Sequence, residues 1–201
     1  MNVNSTASSS GTPEARLAQF MQQHYNLLYD YGLKLTRGDE ETTKDCIQET
    51  FLAFWNRRHE WSTIESIRAY LLVSLRHRLI DYQRRNKRFV PTIFWSDSEE
   101  SALQPDFVFS PEDFLIEETT RLHRSQQLAD ALNRLPRRQR EAVFLRYFQE
   151  LDYADIARIM DIRERTVYNL VHEGLNTLRQ QLPPEWLNRL ATLYLGSVFF
   201  G

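Results

Sequence analysis

Residues 151–171 read LDYADIARIMDIRERTVYNLV, and the spacing inside this stretch decides the fold of the second half of the chain. Asp152 is placed to cap a short helix over Tyr153 to Met160, with Asp155 three residues on in an Asp-x-x-Asp variant of the capping box. Ile156, Ala157 and Met160 are its apolar positions. The pattern breaks around Asp161 to Arg163, then resumes with Val167, Leu170, Val171, Leu175 and Leu178 at helical spacing. A short capped helix, a tight turn and a longer helix make a helix-turn-helix, and Ala157 is small enough to let the two helices approach closely.

Working outward, Leu122, Leu128, Leu132 and Leu135 predict a helix before Pro136, and the proline restarts one through Ala142, Val143, Leu145 and Phe148. Residues 121–182 then form a four-helix C-terminal domain. Upstream, residues 90–120 lose all periodicity. Pro91, Pro105 and Pro111 interrupt them, and they read as a linker that Phe94, Trp95, Phe107 and Phe109 keep from being purely solvated. Residues 13–89 carry three amphipathic patterns. Thr12-Pro13 opens the first, with a stripe of Phe20, Leu27, Leu28, Tyr31 and Leu35. Asp39 caps the second, which places Ile47, Phe51, Phe54 and Trp55 on one face. Ile67, Leu71, Leu75, Leu79 and Tyr82 mark the third, with Arg76, His77, Arg84 and Arg88 expected on its opposite face. No alternating strand pattern of useful length occurs. The expected fold is all-α: an N-terminal helical bundle and a helix-turn-helix domain joined by an acidic linker. Residues 1–12 read as a disordered leader and residues 183–201 as an apolar extension, either a short helix on the C-terminal domain or a regulatory segment.

Charge is divided along the chain. Residues 1–90 hold 13 Lys/Arg against 10 Asp/Glu, residues 91–120 hold eight acidic residues and no basic one, and residues 121–182 hold 11 basic against eight acidic. Two mildly basic blocks therefore flank an acidic connector, and the net charge of −2 conceals them. The single Cys46 excludes a disulfide framework, and no run of about 18 apolar residues is present to insert in a membrane. A cytoplasmic location is expected. No zinc-binding, phosphate-loop or nucleophile-elbow pattern appears, so neither catalysis, a metal nor a cofactor is expected.

Several faces admit two readings. Arg163, Arg165 and Thr166 open the longer helix of the helix-turn-helix, where such helices meet bases and phosphates, although any helical hairpin gives a similar pattern. Arg76, Arg84, Arg85, Lys87 and Arg88 form a face that is either solvated or bound to nucleic acid. Trp61 and Tyr70 nearby are either core or stacking partners for unpaired bases. Asp45, Gln48 and Glu49 form an acidic cluster, either solvated or a docking surface.

Asp45-Cys46-Ile47-Gln48-Glu49-Thr50-Phe51 matches a D-x-x-Q-E-x-F signature, followed by Ala69-Tyr70-Leu71, Arg76, Asp81 and Arg84-Arg85. Leu135-Pro136 with Arg140, Ile156-Ala157 and Thr166-Val167 complete a series that resembles, over roughly residues 16–182, the extracytoplasmic-function (ECF) sigma factors, promoter-specificity subunits of bacterial RNA polymerase. The resemblance implies that Asp45, Gln48, Glu49 and Phe51 dock on core RNA polymerase. It implies that the loop of residues 56–66 and the third helix read and open the −10 element through Trp61, Tyr70, Arg76, His77, Arg84, Arg85 and Arg88. It assigns the −35 element to the helix bearing Arg163, Arg165, Thr166, Tyr168, Asn169 and His172. His77 stands where the family usually has asparagine, and Tyr168, Leu170 and Glu173 stand where basic residues are common. Implied partners are core polymerase, promoter DNA as duplex and melted strand, and a membrane-linked anti-sigma factor. The competing readings are a stand-alone helix-turn-helix regulator and a protein-binding helical adaptor.

Overall fold

The structure, a computed structural model, describes residues 11–87, 107–111 and 121–182. The first ten residues of the expected leader, Arg88, most of the connector and the apolar extension lie outside the described residues. Among the described residues every regular element is helical.

Helix α1 (Pro13–Thr36) begins as expected, with Thr12 Oγ1 accepting from the Ala15 amide at 3.3 Å. It ends in a left-handed turn at Arg37, and Gly38 follows at φ 87°, a conformation that glycine adopts without strain. Asp39 caps α2 (Glu40–Asn56) by accepting from the Thr42 amide at 3.0 Å. A 3-10 turn (Arg58–Thr63) leads to α3 (Ile67–Lys87). Gly32 marks the closest approach of α1 and α2: a Cβ added there would meet Thr43 Cγ2 at 2.6 Å.

The C-terminal half has the four expected helices, α4 (Arg121–Arg134), α5 (Arg137–Val143), α6 (Tyr153–Met160) and α7 (Glu164–Gln181). The helix expected to run from Pro136 through Phe148 is not uniform. After Val143 it widens into a π turn (Phe144–Phe148), where the Gln149 amide reaches back to the Phe144 carbonyl at 3.1 Å. That wider loop lets the chain reverse through Glu150, at φ 50°, into α6.

The two bundles do not stand apart. They share one continuous apolar core, with α3 laid against α6. Tyr31 of α1 stacks on Phe144 at a centroid distance of 6.3 Å. Phe107 and Phe109 of the connector are buried between the bundles, a seat that the sequence reading of a linker did not include. This connector segment is held from both sides. Val108 N–H donates to the Lys34 carbonyl at 3.1 Å, while the Asn133 side-chain amide bonds both the N–H and the C=O of Phe109, at 2.9 and 2.8 Å. Each buried phenylalanine stabilises this closed arrangement by roughly 1.5–3 kcal/mol of apolar burial.

Candidate nucleic-acid interface

Helix α2 presents two opposite faces. Cys46, Ile47, Thr50, Phe51 and Phe54 turn inward and are buried, whereas Asp45, Gln48 and Glu49 are exposed. Glu49 accepts from Arg78 Nη1 of α3 at 2.9 Å, which fixes the carboxylate at the edge of that face. Phe51 therefore differs from its three expected companions. It lies in the core, 4% exposed, and positions the helix without itself being available to a partner. Leu52 was not singled out from the sequence, yet it is 63% exposed among these polar residues. Its spacing was the available signal: Asp45, Gln48, Glu49 and Leu52 fall at i, i+3, i+4 and i+7. Burial pushes the Cys46 thiol up to about 11, with neighbouring Glu49 adding to the effect.

The expected DNA surface on α3 divides in the same way. His77, Arg84 and Arg85 are exposed and Tyr70 is half-buried. Trp61 corrects the expectation of a base-stacking platform. It is buried, stacked on Phe54 at 4.7 Å, edge-on to Phe20 at 5.3 Å, and its indole N–H donates to the Phe54 carbonyl at 3.0 Å. An indole with both its face and its N–H already partnered is a core residue.

Arg76 is the second correction. It does not project from the solvent face of α3 but is 6% exposed, beneath the C-terminal bundle. Its Nε donates to Glu141 Oε1 at 2.8 Å and its Nη2 reaches Oε2 at 3.5 Å. The Tyr31 hydroxyl donates to the same Oε1 at 2.6 Å. A tyrosine of α1, an arginine of α3 and a glutamate of α5 thus form one buried polar cluster across the two bundles. Burial, reinforced by the Glu141 charge, raises the Tyr31 phenol well above its ordinary range. Burial opposes the Arg76 charge, but Glu141 and Tyr31 outweigh it and hold the guanidinium above its usual value.

The helix-turn-helix forms as read. Asp152 Oδ1 accepts from the Asp155 amide at 2.7 Å, α6 ends at Asp161 in the left-handed region, and α7 starts two residues past Ile162. Arg163, Arg165, Tyr168, Asn169 and His172 are exposed together along α7, and Thr166 is half-buried. Tyr168 is 56% exposed and lies parallel to His172 at 6.2 Å. Glu164 and Glu173 share this exposed surface, so its cations are few and its polar rings and amides prominent. Such a face suits base edges in a groove more than a ladder of phosphates. Among the described residues no group of His, Cys, Asp and Glu could hold a metal ion, and no helix is long and apolar enough to cross a membrane.

Residues 20–89 match the family described as Sigma-70 region 2, and residues 125–178 match Sigma-70 region 4. The chain is 30% identical over 179 residues to the ECF RNA polymerase sigma factor SigL of Mycobacterium tuberculosis, covering 87% of this chain and 94% of that protein. It is 27% identical over 161 residues to the ECF RNA polymerase sigma factor SigM of Bacillus subtilis, covering 80% and 91% respectively. Among solved structures, the sigma factor RpoE of Bartonella quintana, crystallised with the anti-sigma factor NepR, has a similar fold, with TM-score 0.59 at 20% identity, covering 83% of this chain and 96% of that one.

Proposed function

The chain belongs to the ECF sigma factors of RNA polymerase, and we propose that it binds core RNA polymerase and directs promoter recognition and transcription initiation from the surfaces described above. It is a specificity factor and not an enzyme. It works in the cytoplasm, where polymerase and chromosome are.

Asp45, Gln48, Glu49 and Leu52 dock on the core enzyme, with the leucine supplying an apolar anchor inside a polar ring. His77, Arg84, Arg85 and half-buried Tyr70 engage the −10 element, their cations on phosphates and the ring beside unpaired bases. A base taken out of the stack there exposes edges that a duplex hides. Arg163 and Arg165 contact phosphates at the −35 element, while Tyr168, Asn169 and His172 read the major groove. A membrane-linked anti-sigma factor is the expected inhibitory partner.

The observation that carries this reading is the exposed Asp45/Gln48/Glu49/Leu52 face on a helix whose other side is entirely core. A helix-turn-helix protein acting alone on DNA has no use for it. Its test is the double variant Gln48→Ala, Glu49→Lys in the full chain. The expected result is association with core polymerase weakened by about tenfold or more, the scale of a lost interface anchor, with thermal stability unchanged. Association unchanged in a folded variant contradicts the docking assignment.

A further inference from the structure

We propose that Tyr153 is a positioning residue which, by fixing the Tyr168 ring, makes α7 select a thymine in the −35 element through its 5-methyl group. The proposal rests on the sigma-type reading above and deepens it. It names the base that this face selects and a residue outside the reading helix that sets the selection.

The residues form a column across three elements. At its inner end Arg146, in the π turn, donates from Nη1 to the Leu151 carbonyl at 2.9 Å and lays its guanidinium over the Tyr153 ring at 5.0 Å. The Arg146 Nε is buried without a hydrogen-bond partner among the described residues, so the ring face is what meets that side of the cation. Tyr153 opens α6 half-buried, and its ring meets Tyr168 of α7 at 5.8 Å and 55°. Tyr168 in turn lies parallel to His172, at 6.2 Å and 11°. An exposed tyrosine on a helix ordinarily samples more than one rotamer. Here a ring on each side narrows the choice, so the phenol is oriented before DNA arrives.

His172 is itself held from the far side. Arg179 Nη1 donates to Asn176 Oδ1 at 3.3 Å, which turns the Asn176 amide nitrogen toward His172 Nδ1, also at 3.3 Å. With that nitrogen donating, Nδ1 accepts, and the neutral imidazole carries its proton on Nε2.

The major groove gives the two rings different tasks. Every base pair offers a purine N7 acceptor, so a lone Nε2–H donor finds a partner on any sequence and anchors α7 without discriminating. The Tyr168 ring discriminates. Thymine presents a methyl group in the groove, whereas cytosine presents an amino donor and no methyl. Glu173 is a group that could accept from that amine, but its Oε2 already accepts from Gln139 Nε2 at 3.1 Å. An oriented aromatic face without a carboxylate turned to the same base favours the methyl.

The test uses holoenzyme assembled from the full chain and core polymerase, on promoters that it selects from a bacterial library. Thymines of the upstream block are replaced by uracil, which removes the methyl and nothing else, and equilibrium affinity is compared between the two DNAs. The wild-type chain should lose about fourfold for each covered methyl, the scale of one buried hydrocarbon group. Tyr168→Ala and Tyr153→Ala should bring the thymine-to-uracil ratio close to one, and Tyr153→Phe, which keeps the ring, should restore it. A partly unfolded variant weakens both DNAs alike, so the ratio reads positioning and not stability. A selected upstream block without thymine, or a ratio of one in the wild-type chain, overturns the proposal and leaves the sigma reading intact. A ratio that survives Tyr153→Ala overturns the positioning role. Holoenzyme that selects no promoter at all overturns the sigma reading, and this proposal with it.

Discussion

Replacing Trp61 with alanine is expected to damage stability far more than DNA binding. Its ring is enclosed by Phe20 and Phe54, and its N–H is bonded to the main chain, so truncation leaves a cavity and removes one of the hydrogen bonds that the Phe54 carbonyl accepts. Urea denaturation should show a loss of about 3–5 kcal/mol. A loss below 1 kcal/mol would mean that the indole is not core. Arg76→Ala should cost a similar 3–5 kcal/mol by stranding Glu141 in the core, whereas the triple replacement Tyr31→Phe, Arg76→Met, Glu141→Leu, which leaves no member of the cluster unpaired, should be neutral or stabilising. Equal losses from the single and triple variants would exclude the ion pair as the reason. Cys46 gives a test of sign in pH. Burial raises its pKa to about 11, so the unreactive neutral thiol persists through pH 7 to 9 and alkylation accelerates only as pH approaches that value. Iodoacetamide kinetics at pH 8 matching those of free cysteine would refute that environment.

At the scale of elements, local chemistry was largely legible in the sequence. Thr12, Asp39 and Asp152 each cap the helix that their position announced, because a cap depends only on neighbours within one turn. Apolar spacing likewise placed the buried sides of α1 and α2. The third helix was harder. Its apolar residues and Arg76 are buried against two different neighbours, and periodicity alone reads an arginine as solvent-facing when a second covering surface is unknown. The close approach of α1 to α2 makes a prediction: Gly32→Ala places a methyl 2.6 Å from the fully buried Thr43 and should destabilise by about 1–3 kcal/mol despite better helix propensity. A gain in melting temperature would show that the two helices part readily. At the start of α7, Arg163 and Arg165 are the only cations among the assigned reading residues. Promoter affinity contributed by this helix should therefore fall with salt at a slope of about −2, measured as the difference between holoenzyme with intact and with R163A/R165A chains. A difference near −5 would require phosphate contacts that this face does not offer.

At the scale of the molecule, the order of parts was legible and their arrangement was not. Two basic helical blocks and an acidic connector follow from counting charge, but whether the blocks touch depends on pairs such as Tyr31 with Glu141, 110 residues apart. Phe107 and Phe109 were the one local hint, aromatic side chains without a helical stripe to join. Their burial ties the described part of the connector to both bundles. The most direct measurement is transcription by purified core RNA polymerase on a bacterial promoter library, with and without this chain. Transcripts dependent on the chain, starting downstream of two sequence blocks at constant separation, are the predicted result. A core enzyme left silent by the folded chain, together with tight duplex binding by the chain alone, would contradict it.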